Sequence, residues 1–236
     1  MNIYSEKSRI KSYHVDRDGK LSTVQVFNFL QEAAFRHSVI GKFGQPDLDE
    51  LGLVWVLSRM KVEFYTEALL GEEVEINSWV RSINGALSER DFEIFKNGTL
   101  LIRATSLWVC LDMKSLKPTR IPPVICDKMV VLNSDSVSLS TAKIPSLQGV
   151  VPSSTYVVQP SDIDMVNHTN NVVYLRIIMD RLNAKSKVKK INLNYLNQSF
   201  EGDELAITRN KKEEVNLFEI TNSIGVQICK ILVVLE

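Results

Sequence analysis

Two stretches of this chain carry one pattern. Residues 62–76, "VEFYTEALLGEEVEI", align with residues 193–207, "LNYLNQSFEGDELAI". Gly71 falls on Gly202, the acidic pairs Glu72-Glu73 and Asp203-Glu204 coincide, Val74 meets Leu205, and Phe64 meets Tyr195. Each copy reads as a strand, a Gly-acidic turn and a second strand. A repeat at this scale restricts the fold more than composition does, because both halves must adopt the same supersecondary unit.

The similarity extends upstream. In the first half "HVDRDGKLS" precedes "TVQVFNFLQEAAFRHSVIGKFG". Ser22 is a natural N-cap, since its hydroxyl can accept a free amide of the first turn. Val26, Leu30, Ala33, Ala34 and His37 then recur at helical spacing, and Gly41 suits the stop. In the second half "SDIDMVNHTNN" precedes a helix with Val172, Leu175, Met179 and Leu182 on one side, and Thr169 or Asn170 can cap it. The spacing predicts helices near 22–40 and 170–183.

Strand patterns follow each helix. "LVWVLSRMKVEFY", "EEVEINSWVRSI", "LSERDFEIFK" and "LLIRATSLWVCLDM" are β-rich or alternating, with "NGA" and "NGT" as turns. The second half offers "KKINLNYLNQ", "DELAITRNK", "VNLFEITNS" and "QICKILVVLE". A Pro- and Ser-rich stretch, about 121–154, reads as the connector. One helix per antiparallel sheet buries its apolar stripe only by lying on that sheet. Two tandem units can share a continuous sheet, which protects an edge of each. The double hot-dog is one such α+β fold among several.

The chain has 236 residues, 28 basic and 28 acidic, so its formal net charge is zero. No bulk electrostatic attraction to nucleic acid or an anionic membrane is expected. No apolar run approaches the roughly 18 residues of a membrane span. The start, "MNIYSEKSRIKSYHV", lacks the apolar core of a signal peptide and the composition of a transit peptide, so the expected compartment is the cytosol. Three cysteines and three histidines lie far apart in no metal spacing, and the sequence calls for no metal and no cofactor. Cys110 and Cys229 read as buried strand residues, and His37 as a packed core histidine.

With the residues laid out, "SDIDMVNHTNNVVYL" resembles the Asp-x-Asp-x-Asn-x-His-x-Asn-Asn signature of the fatty acyl-ACP thioesterases of plant plastids and bacteria. "LSTVQVFNFLQEAAFRHS", "LVWVLSRMKVEFYTEALLGEEVEINSWV" and "IRATSLWVCLDMKSLKPTRIP" resemble the first half of those enzymes, so the similarity runs from about residue 6 to 208. The resemblance implies two tandem hot-dog units, each a long central helix against an antiparallel sheet. Residues 1–130 would form an N-terminal unit for the acyl chain, 131–154 a connector, and 155–236 a catalytic C-terminal unit. It implies hydrolysis of the thioester between a fatty acid and acyl carrier protein, with the acyl-ACP as partner and a homodimer as the assembly it admits. An acyl-CoA thioesterase and a non-catalytic acyl-binding protein are the alternatives.

Three positions depart from the family pattern. Val166 stands where plant members have Asn, and Gln198-Ser199 where they have Glu-Cys after the Tyr that matches Tyr195. Thioester hydrolysis needs an activated water or a carboxylate nucleophile, and a donor for the developing oxyanion. Asp164 is expected as general base or nucleophile, His168 beside it, and Gln198 as a water-positioning group on a neighbouring strand. Asn170 and Asn171 would position substrate or oxyanion at the helix start, where free amides and the helix dipole favour negative charge. The plainer reading makes Asp162 and Asp164 turn residues, since Asx side chains bond nearby amides. Ser199 has no base near it in sequence. There is no Gly-x-Ser-x-Gly elbow and no Gly-rich phosphate loop. "KSKVKK", 185–190, is the densest basic run and the expected contact for an acidic carrier protein.

Overall fold

Both predicted helices form, and their buried sides are those the spacing selects. The computed structural model describes residues 2–132, 139–147, 149, 151–182 and 187–236. The chain divides into two compact units, residues 1–141 and 142–236.

In the first unit, β1 (Tyr4–Arg9) leads through a 3-10 turn at Ser12–His14 to α1 (Thr23–Ile40), and then to a short α2 (Gln45–Asp49). Four long strands follow: β2 (Leu53–Phe64), β3 (Glu73–Asn84), β4 (Leu87–Lys96) and β5 (Thr99–Asp112). A single turn, α3 (Pro123–Cys126), closes the unit. The antiparallel order is β1-β3-β4-β5-β2. Ser22 caps α1, its Oγ accepting from the Gln25 amide at 3.2 Å. Val26, Leu30, Ala33, Ala34 and His37 are buried, joined by Phe27 and Phe29. This face lies against β1 and β3, with Val74 and Ile76 of β3 fully buried. Fully burying one such aliphatic side chain contributes about 1.5–3 kcal/mol. His37 is a core residue as expected: its Nδ1 lies 2.8 Å from Arg90 Nη1, which also donates to Ser78 Oγ. Burial pushes the Arg90 guanidinium down to about 9, still cationic at neutral pH.

Gly41 ends α1 for a reason the sequence does not display. Its φ is an ordinary −76°, but a Cβ there would stand 2.2 Å from the Phe43 ring. Gly71 and Gly202 have the other requirement. Their φ values are 84° and 82°, a region that L side chains adopt at a cost.

In the second unit, β6 (Ser154–Val157) and a 3-10 turn at Pro160–Asp162 precede α4 (Asn171–Leu182). Then come β7 (Val188–Tyr195), β8 (Glu204–Lys212), β9 (Val215–Asn222) and β10 (Gln227–Leu235). The antiparallel order is β7-β10-β9-β8-β6. Replacing each strand by its counterpart in the first unit reproduces the order there. Each unit is therefore a hot-dog: one main helix and a five-stranded antiparallel sheet. Val172, Leu175 and Leu182 of α4 are buried as spaced, with Tyr174, Ile177 and Ile178, while Met179 is half-buried.

Four elements escape the sequence reading: β1, α2, α3 and β6. β1, "YSEKSR", buries only Tyr4, and β6 opens inside the stretch read as connector. Both are edge strands whose form comes from pairing with β3 and β8, so neither needs the apolar alternation that marks an inner strand. Of "KSKVKK", Lys185 and Ser186 lie outside the described residues, and Val188 to Lys190 begin β7.

Candidate active site

The polar loop before α4 is built on the same hydrogen bonds as the loop before α1. In the first unit Asp16 Oδ1 accepts from the amides of Asp18 (2.9 Å) and Lys20 (3.0 Å). In the second, Asp164 Oδ1 accepts from Val166 (3.0 Å) and His168 (3.3 Å). The main chain repeats as well. Asp16 N donates to Lys20 O as Asp164 N does to His168 O, and Ser22 N to His14 O as Asn170 N does to Asp162 O. Gly19 and Asn167 take the left-handed conformation at equivalent places, φ 74° and 61°. The loops correspond at an offset of 148 residues, so Asp164 matches Asp16, Val166 matches Asp18, and His168 matches Lys20.

The two aspartates of the motif are thus told apart. Asp162 is buried, and both its oxygens are engaged. Oδ2 accepts from Tyr156 OH (2.6 Å) and the Gln159 amide (2.8 Å), and Oδ1 from Arg176 Nη2. Asp164 is half-buried. Its Oδ1 holds the turn, while Oδ2 has no hydrogen bond among the described residues, in the loop that precedes α4. The plainer reading of Asp164, a turn residue, describes its Oδ1.

His168 is half-buried, its ring edge-on to Phe200 with centroids 5.4 Å apart. Asn170 caps α4: its Oδ1 accepts from Val172 N at 2.9 Å. Asn171 is the first helical residue, and its carbonyl accepts from Tyr195 OH. The helix start is less open than the sequence suggests. The amides of Thr169, Asn170, Val172 and Val173 all have acceptors. Among the described residues the Asn171 N–H is the one in 169–173 without an acceptor.

Gln198 does not lie on a strand. β7 ends at Tyr195, because the amides of Leu196 and Asn197 converge on one acceptor, Ile228 O. That breaks the one-to-one ladder, and Gln198 stands exposed in the irregular segment beyond it. Ser199 next to it is fully buried. Its hydroxyl meets Thr169 Oγ1 (2.8 Å) and Tyr174 OH (2.9 Å), and its carbonyl accepts from the Thr169 amide. Burial raises the Tyr174 pKa, so that phenol is no base for Ser199 at neutral pH. Ser199→Ala is expected to lower stability by about 1–2 kcal/mol, through the buried hydroxyls it leaves under-bonded, with turnover per folded molecule unchanged. Urea unfolding and steady-state rates on one variant check both halves. A folded variant with a tenfold lower rate overturns the reading.

Tyr156 and Arg176 are the site residues that sequence reasoning missed. Arg176 interrupts an apolar helix, which is a weak signal, and Tyr156 carries none. Among the described residues no group of three or more His, Cys, Asp or Glu side chains is placed to hold a metal ion. No described helix is long and apolar enough to cross a membrane.

Residues 1–129 match the acyl-ACP thioesterase N-terminal domain, and residues 148–234 the C-terminal domain. The chain is 28% identical to oleoyl-acyl carrier protein thioesterase 2, chloroplastic, of Arabidopsis thaliana, over 85% of this chain and 60% of that protein. It is 28% identical to palmitoyl-acyl carrier protein thioesterase, chloroplastic, of Cuphea hookeriana, over 75% of this chain and 46% of that one. The chain therefore spans only about half of these curated relatives. Among solved structures, an acyl-ACP thioesterase from Bacteroides thetaiotaomicron superposes with a TM-score of 0.91 at 23% identity, covering 99% of this chain and 98% of that one. The 12:0-ACP thioesterase from Umbellularia californica gives 0.87 at 19%, covering 99% and 97%. These likenesses give the double hot-dog fold. With two domain matches that together account for nearly all of the sequence, the chain belongs to the acyl-ACP thioesterase family.

Proposed function

We propose that this protein hydrolyses the thioester of a fatty acyl-ACP, releasing a free fatty acid and the carrier thiol. The observation that carries this reading is the Asp164 carboxylate, with one oxygen tied into the loop before α4 and the other without a hydrogen bond among the described residues, in a chain of this family. Asp164 takes a proton from a water that attacks the acyl carbonyl and gives it to the thiolate as the C–S bond breaks. Alternatively, Asp164 attacks the carbonyl itself, and the C–S bond breaks to a thiolate that is protonated by water. A second water then hydrolyses the resulting mixed anhydride to free the fatty acid and restore the carboxylate. The Asn171 amide faces the carbonyl oxygen as charge develops on it, reinforced by the positive end of α4. His168 orients carbonyl or water, Asn170 holds the helix start, and exposed Gln198 contributes a neutral amide to water placement. Buried Ser199 takes no part as a nucleophile. The first unit, which has Lys20 and Ser22 where the second has His168 and Asn170, houses the acyl chain.

The test is free-thiol release from acyl-ACPs and acyl-CoAs of graded chain length. Turnover of acyl-ACPs is expected, and silence on every acyl-ACP sinks the proposal. Lys189, exposed on β7, is proposed to meet the acidic carrier protein. Lys189→Glu should slow acyl-ACP hydrolysis several-fold more than acyl-CoA hydrolysis, and the difference should shrink with added salt. Equal loss on both substrates removes Lys189 from the docking surface.

A further inference from the structure

The two loops differ in how their first residue is anchored. Asp162 corresponds to His14, Tyr156 to Ser8 and Arg176 to Asn28. The first pair share the loop hydrogen bond described above, the second share their register opposite Leu205 and Val74, and the third occupy the same helical position after the cap. In the first unit His14 is buried, its Nδ1 accepts from the Lys11 amide at 3.2 Å, and its ring meets Phe29 edge-on at 5.0 Å. Asn28 turns to Gln25 on its own helix. A neutral imidazole and apolar contact are therefore enough to hold this loop in this fold. The second unit instead places a carboxylate, a guanidinium and a phenol there. Burying the Asp162 carboxylate, 2% exposed beside a partly exposed Arg176, is costly, so the folded loop alone does not account for it.

We infer that Asp162, Arg176 and Tyr156 form a positioning network that fixes the loop carrying Asp164 and His168 against α4 and β6. The geometry explains how. The Asp162 side chain ties the start of the loop to β6 through Tyr156 and to α4 through Arg176. Its backbone carbonyl takes the Asn170 amide, where the loop ends. Both ends of the segment are thereby held by one residue, and Asp164 follows two positions later. Charge-assisted hydrogen bonds from a guanidinium are shorter and more directional than the His14 arrangement. That suits a loop whose carboxylate must meet a reacting carbon, where a misplacement of about 1 Å can cost on the order of 10²-fold in rate. The first unit's loop carries no such demand. The inference rests on the thioesterase reading for its kinetic consequence and on hydrogen bonding alone for its structural one.

The experiment installs the first unit's solution in the second: Tyr156→Ser, Asp162→His and Arg176→Asn together, with Arg176→Met and Arg176→Lys as single variants. Two quantities are read, kcat and KM on one acyl-ACP, and amide hydrogen exchange. The amides of Asp164, Asn167 and Asn170 are compared with their counterparts Asp16, Gly19 and Ser22 as an internal reference. Expected are a kcat lower by about 10–100-fold, a KM within about threefold, and faster exchange at 164–170 with the first loop unmoved. Arg176→Lys, which keeps the charge, should recover part of kcat relative to Arg176→Met. Unchanged exchange at 164–170, or an unchanged kcat in a folded triple or Arg176→Met variant, overturns the inference. Wild-type protein that hydrolyses no acyl-ACP defeats the thioesterase reading instead, and the exchange comparison still decides whether the network holds the loop. A triple variant that fails to fold leaves the decision to Arg176→Met.

Discussion

Asp164→Asn is expected to abolish turnover while the fold persists. The amide oxygen can still accept from Val166 and His168, the two bonds that close the turn, so the loop keeps its shape. The amide can neither take a proton from water nor attack as an anion. Loss of a general base typically costs ~10²–10⁴-fold, and loss of a nucleophile more. The internal repeat supplies a matched control. Asp16→Asn makes the same replacement in a turn with the same bonds, so any cost of weakening the turn appears there without the catalytic loss. Steady-state rates and thermal midpoints of both variants are the measurement. A near-normal rate for Asp164→Asn, or an equal loss in Asp16→Asn, removes Asp164 from the chemistry.

The largest effect on stability is expected at Leu175. It is fully buried on α4, one residue before Arg176 and four after the first helical residue. Leu175→Ala removes the transfer energy of the buried methyl and methylene groups, and it leaves a cavity that its neighbours only partly fill. Such changes typically cost about 2–5 kcal/mol, against a total of about 5–15 kcal/mol for a domain. Met179→Ala on the same helix, at a half-buried position, should cost less, because its environment is already partly solvent. Urea unfolding of the two variants checks the order. A Leu175→Ala loss below about 1 kcal/mol, or below that of Met179→Ala, contradicts the role given to α4 as the core element of its unit.

Much of this architecture was legible from local pattern. Helical spacing marked α1 and α4 within a residue or two, because an apolar stripe at period 3.6 gathers on one face of a helix and scatters over both faces of a strand. The glycines at 71 and 202 aligned the two halves because both stand at a positive φ that other residues resist. The loop before α4 stood out by its polar density and by its resemblance to a family signature, and Asp164 was singled out there. What stayed hidden depends on residues distant in sequence. β1 and β6 take their form from partner strands, so their own composition says little. Gln198 reads as strand until the two preceding amides are seen to share one acceptor, which ends the ladder. Asp162 and Asp164 are the same residue type two positions apart, and apart from the family resemblance nothing local separates them. Tyr156, from the edge strand, and Arg176, from the helix, consume both oxygens of Asp162, whereas the loop consumes only one of Asp164. That division is made by hydrogen-bond partners that only the folded chain brings together, and among the described residues it leaves one Asp164 oxygen without a hydrogen bond in the loop before the helix.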